Sequence, residues 1–163
     1  MRVSSPIGVD MPRDSWRRSG WRRLPTTTSS GWTGLTTRET THRLLVNDVA
    51  LWTWCAYDIV GIAAALRANA TGTTACGYCG ETIYVVTREG QPDESSAVGW
   101  MPNVSCSNVM AEFCPSALRF CSRSHLNEWR KARPDEAGQA LGLESLAELG
   151  RLNWAPLVDA EAA

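Results

Sequence analysis

From Val46 onward the chain turns apolar in a run that suits a helix: NDVALWTWCAYDIVGIAAALRANA carries an apolar or small residue at most positions from Val49 to Ala68. Asn47 or Asp48 stands where a cap belongs and Gly72 lies beyond the end, so the pattern predicts a helix over 49–68. The next stretch, TGTTACGYCGETIYVVTREG, changes period. β-Branched and aromatic residues flank a glycine-containing turn there, which predicts a hairpin with strands near 71–77 and 81–88. A third strand is expected from Ala97 to Met101, and residues 105–121 are cysteine-rich with no sustained period. Ser122 then opens a helical run that Pro134 stops. From Pro134 to Leu149, Ala140, Leu141, Leu143, Leu146, Ala147 and Leu149 recur at mixed helical spacing, predicting an amphipathic helix ended by Gly150. Helices with strands between them give an α+β class, a small antiparallel or mixed sheet with flanking helices.

The first 35 residues read differently. LPTTTSSGWTGLTTRETT is rich in Thr, Ser and Gly and holds no period, so residues 1–35 are expected to form an irregular tail or cover ahead of a core over 36–163. Residues 1–23 carry six Arg and two Asp, about +4, whereas the rest of the chain is acidic, so the whole comes to −1. That balance leaves no global basic field for nucleic acid or an anionic membrane. With 163 residues and 44% hydrophobic content the chain can bury one domain core. Its longest apolar run, Ile59 to Leu66, is far short of the roughly 20 residues of a membrane span. No signal-peptide pattern opens the chain, so a soluble, cytoplasmic protein with a small-molecule partner is expected.

Cysteine then carries the argument, because six thiols in a reducing compartment are more often ligands, nucleophiles or core than disulfides. Cys55 and Asp58 stand three apart, which on a helix puts a thiol and a carboxylate on one face. Burial alone would raise the Cys55 thiol pKa and keep it inert, but a soft metal deprotonates a coordinating thiol outright. Cys76-Gly-Tyr-Cys79-Gly80 is a CxxC at the tip of the expected hairpin, and Cys121 with His125 could complete a Cys3His set for structural zinc. Cys106 and Cys114 bring two more thiols into one short segment, and either could face Cys55. Two thiolates and a carboxylate around one atom suit a soft, thiophilic cation and not Mg²⁺ or Ca²⁺. With His42 and His125 as the only histidines, Ser/His/Asp catalysis is poorly supported, and neither a phosphate-cradling loop nor a dinucleotide fingerprint is present.

The blocks WCAYDIVGIAAAL, TTACGYCGETIYV and FCPSALRFCSRSHLNEW together resemble the catalytic core of the alkylmercury (organomercurial) lyases over about residues 36–130. The most specific part is the W-C-A-x-D block with a further Cys 21 residues on, joined by an F-C block whose Cys114 precedes Trp129 by 15. The resemblance implies an enzyme that cleaves a carbon–mercury bond by protonolysis, releasing a hydrocarbon and leaving Hg(II) bound as product. It further implies Cys55 as first thiolate, Asp58 as the proton-moving carboxylate and Cys114 as second thiolate, with Cys106 as the alternative second thiolate. Cys76 matches a cysteine that the family uses structurally. No organic cofactor is implied, and the Hg(II) acceptor would be free thiols or a mercuric reductase. The alternative is a non-catalytic zinc- or soft-metal-binding module of the same fold, in which Cys76, Cys79, Cys121 and His125 hold the metal and Cys55 is core.

Overall fold

The structure, a computed structural model, describes residues 31–32, 34–105 and 107–161. Most of the stretch expected as an irregular tail, and Cys106, therefore lie outside the described residues. Within them, β1 (Gly31–Trp32), β2 (Leu35–Thr36), β3 (Arg43–Val46) and β4 (Val49–Thr53) precede the first helix, α1 (Ala56–Ala65). Then come β5 (Ala70–Ala75), β6 (Thr82–Arg88), β7 (Gln91–Pro92) and β8 (Val98–Pro102). A π-helical turn (Val109–Phe113) runs into a 3-10 turn (Cys114–Ser116), followed by β9 (Arg119–Phe120), α2 (Arg123–Lys131), β10 (Gly138–Gly142) and α3 (Leu143–Glu161). The α+β class holds: seven strands pair antiparallel in the order β1-β2-β4-β3-β5-β6-β7, and three more in the order β10-β8-β9.

The expected helix over 49–68 is corrected at its front. Asn47 and Asp48 do not cap it; both have positive φ, 48° and 64°, and they form the two-residue turn that sets Val46 opposite Val49. Asn and Asp tolerate that left-handed conformation, and its twist matches the flanking strands. Residues 49–53 are consequently a strand, and the helix starts only after Cys55, whose φ of −149° and ψ of 172° make it the N-cap. The hairpin, the strand near 97–101 and the helix after Ser122 all form where expected. The Ser122 hydroxyl accepts from the His125 N–H, as a cap should.

The second correction concerns 134–150. Gly138–Gly142 is not helical; it pairs with β8 along its whole length, and the helix begins at Leu143. Gly150 does not end that helix. α3 runs on to Glu161, and Gly150 is where it crosses α1: a Cβ there would come within 2.2 Å of the Gly61 Cα. The two glycines let the helix backbones touch, and the Trp154 ring closes over Gly61.

The core follows from this crossing. α1 is buried from Ala56 through Ala64, wedged between the larger sheet and α3, which explains its all-round apolar sequence. The smaller sheet packs on α2 through Trp100, Phe120 and Trp129, whose rings lie 5.3 to 5.7 Å apart. A parallel bridge between Cys76 and Arg119 joins the two sheets, with the Gly77 N–H donating to the Arg119 carbonyl at 2.8 Å.

Candidate functional site

Where β4 hands over to α1, the N-cap position projects the Cys55 thiol into the core at the positive end of the helix. Three residues on, Asp58 turns its carboxyl back so that Oδ2 accepts the Cys55 N–H at 2.9 Å. This is the reciprocal geometry of a capping box, with Cys in place of Ser and Asp in place of Glu. The Thr53 hydroxyl donates to the Cys55 carbonyl at 2.9 Å, fixing the bend from the strand side. Gly34, at φ +92°, lies against the carboxyl: a Cβ there would stand 3.1 Å from Asp58 Cγ.

Cys114 reaches the same place from the other side. Pro115 helps stop the π-helical turn and start the 3-10 turn, and Cys114 sits at the junction, 7% exposed. One ligand atom each from Cys55, Asp58 and Cys114 lie within 4.8 Å of one another, and Cys55 and Asp58 are fully buried. Burial pushes the Cys55 thiol pKa well up, the neighbouring Cys114 sulfur adds to this, and the N–H groups of Asp58 and Tyr57 oppose it. Asp58 is likewise pushed well above the usual carboxylate range, first by burial and then by Cys55. Both shifts favour the protonated form of each group. Asp58 Oδ1 is buried with no hydrogen-bond partner among the described residues.

Arg119, which the sequence reasoning missed, is the buried cation of this region. Only 1% exposed, it donates from Nη2 to the Ala56 carbonyl at 2.9 Å, while Nε and Nη1 are buried without partners among the described residues. Burial brings its pKa down to about 10, against the pull of Cys55, so it stays charged at neutral pH. Its signal in the sequence was weak: one Arg between Leu118 and Phe120, in a segment with no readable period. Gly99, paired with it across the strands, leaves the space its guanidinium occupies.

A second cluster forms at the tip of the β5–β6 hairpin. Cys76, Cys79, Cys121 and His125 each offer a ligand atom within 4.8 Å of the others. Burial would push the Cys76 thiol up, but N–H groups of Cys79, Cys121 and Tyr78 together with the His125 ring outweigh it and bring the pKa down to about 6. Each sequence-predicted site residue is thus in one of the two clusters, except Cys106, which lies outside the described residues. His42 is in neither; its Nδ1 meets the Thr74 hydroxyl at 2.8 Å.

An α+β fold that buries two thiols and a carboxyl at one helix N-terminus defines a class of thiol-based proteins suited to a soft cation. Comparison with known proteins narrows the class. The family model described as MerB, alkylmercury lyase, matches residues 35–155. An alkylmercury lyase of Pseudomonas putida is 30% identical over 106 residues, covering 62% of this chain and 50% of the relative. The crystal structure of the mercury-bound form of MerB2 superposes with a TM-score of 0.70 at 26% identity, covering 78% of this chain and 64% of that one. The chain belongs to the alkylmercury lyase family. It spans about half the length of the curated relative it matches.

Proposed function

We propose that this protein is an organomercurial lyase in which Cys55 and Cys114 bind the mercury of R–Hg⁺ and Asp58 delivers the proton that releases the hydrocarbon. The observation that carries the reading is the meeting of two buried sulfurs and a buried carboxyl within 4.8 Å, the carboxyl's pKa being raised by burial. One thiol displaces the counter-ligand X⁻ of R–HgX and its proton leaves with X⁻. The second sulfur then coordinates, the Asp58 carboxyl donates its proton to the carbon as the Hg–C bond breaks, and the proton released by the second thiol reprotonates the Asp58 carboxylate. The hydrocarbon RH departs and Hg(II) stays as a bis-thiolate, so the balance is R–HgX plus two thiols giving RH, HX and Hg(S)₂. Two soft sulfur donors raise electron density at mercury, and a carboxyl held in a dry site protonates carbon without bulk water. Arg119, charged and electrostatically coupled to Cys55, favours the thiolate state that binding requires.

The product Hg(II) would leave by exchange to other thiols, either small ones or those of a mercuric reductase. Five described cysteines are free thiols, which fits work in a reducing, cytoplasmic setting. No helix among the described residues is long and apolar enough to cross a membrane.

The test is turnover of phenylmercury with excess thiol, following benzene by gas chromatography. Benzene is expected from the wild type and not from Cys55→Ser or Cys114→Ser. A folded, reduced wild type that binds mercury and releases no benzene would overturn the reading in favour of a non-catalytic soft-metal binder. Benzene from Cys114→Ser alone would move the second thiolate to Cys106.

A further inference from the structure

The cluster at the β5–β6 tip takes no part in the reaction above, yet it is built more like a site than like packing. Tetrahedral Zn²⁺ with Zn–S of about 2.3 Å and Zn–N of about 2.0 Å requires ligand edges of about 3.8 Å between sulfurs and about 3.5 Å between sulfur and nitrogen. Cys79 Sγ and Cys121 Sγ are 3.7 Å apart, and Cys76 Sγ and His125 Nδ1 are 3.6 Å apart. Neither separation is that of a disulfide, whose sulfurs lie about 2.05 Å apart. The backbone is shaped for the same purpose. Gly80 follows Cys79 with φ +76°, and its N–H returns to the Cys76 carbonyl at 3.0 Å, the tight turn that brings both thiols of a CxxC to one side. Of the other two ligands, Cys121 lies just before the Ser122 cap of α2 and His125 in its first turn, where that cap fixes the His125 backbone and the Tyr78 ring lies 5.2 Å from the imidazole.

We propose that Cys76, Cys79, Cys121 and His125 bind one structural Zn²⁺ per chain. Four protein ligands complete the tetrahedron and leave no open position, which is the mark of a structural centre and not of a catalytic one. The three thiols bind as thiolates and release their protons to solvent, including the one Cys79 otherwise directs at Glu81 Oε2, 3.8 Å away. Cys79 is exposed, so the ion enters from the surface without crossing the core. The centre ties the hairpin tip to the segment that carries Arg119. Cys76 already bridges to Arg119, whose guanidinium reaches Ala56 next to Cys55, so the metal holds the edge of the proposed catalytic site in place.

The full chain, purified under reducing conditions, is assayed for metal by mass spectrometry, and its zinc environment is read by X-ray absorption. About one zinc per chain with three sulfurs and one nitrogen is the expected result. Cys79→Ser and Cys121→Ser should lose at least nine-tenths of the zinc, whereas Cys55→Ser and Cys114→Ser should keep it. Absorption data on the wild type stand even if a variant fails to fold. A wild type that lacks zinc and takes up none from one equivalent of zinc salt overturns the proposal. Zinc that survives in Cys79→Ser and Cys121→Ser and disappears in Cys55→Ser also overturns it. Zinc content does not depend on benzene release, so failure of the lyase reading leaves this test intact.

Discussion

Replacing Asp58 by asparagine separates the two tasks this carboxyl has in the site. Asparagine keeps an oxygen where Oδ2 accepts the Cys55 N–H at 2.9 Å, so the helix cap survives. It has no acidic proton. Loss of a positioned general acid lowers rates by about 10²–10⁴-fold, equal to about 3–5 kcal/mol of barrier. At acid pH, where the carboxyl is protonated folded or unfolded, global stability should meanwhile stay within about 1 kcal/mol, because volume and cap are conserved. Asp58→Ala behaves differently: it removes the cap and leaves a buried N–H unpaired, costing about 2 kcal/mol or more of stability as well as activity. Benzene release in single turnover, mercury stoichiometry and urea melting on the three proteins make the comparison. Asp58→Asn that binds mercury and turns over within a few-fold of wild type would refute Asp58 as the proton donor.

The same carboxyl sets a pH dependence. Its folded pKa lies above the unfolded value of about 4, so the folded state retains a proton that the unfolded chain has released. Its contribution to stability is greatest below about pH 4 and declines as pH rises toward the folded pKa. Urea midpoints measured from acid to neutral pH should show that decline in the wild type and a flatter profile in Asp58→Asn; equal slopes would contradict a raised Asp58 pKa. Arg119→Met removes the cation coupled to Cys55 and should move the pH profile of kcat/KM to higher pH, while an unmoved profile would leave Arg119 a packing residue. Gly150→Ala forces a methyl into the α1 backbone and should cost about 1–3 kcal/mol in thermal or urea melting. An unchanged midpoint would mean the helices do not cross there.

Local chemistry made much of this protein legible. The three-residue spacing of Cys55 and Asp58 put a thiol and a carboxyl on one helical face, but that Cys55 is itself the N-cap was hidden by the cap expected at Asn47 or Asp48. The CxxC with its following glycine announced a hairpin tip, and Ser122 announced a helix start, because turns and caps are decided by neighbouring residues. What failed were segments whose pattern is ambiguous without partners. Val49–Thr53 is apolar enough for helix or strand; the Asn47–Asp48 turn and pairing with β3 decided for strand. Gly138–Gly142 became a strand because β8 offered an open edge, and Gly150 was read as a stop when its missing side chain serves a helix crossing.

The joining of distant segments belonged to the tertiary structure alone. Spacing along the chain could offer Cys106 or Cys114 as partner to Cys55, but the fold of the π-helical and 3-10 turns is what brings Cys114 beside it. Arg119 shows the same limit most sharply. Its identity is local, yet its burial beside the Ala56 carbonyl depends on two sheets meeting at the Cys76–Arg119 bridge. Sequence therefore determined which chemical groups exist and how each is presented within a turn or a helix end. Packing decided which of them share a dry space, since that depends on contacts between residues tens of positions apart.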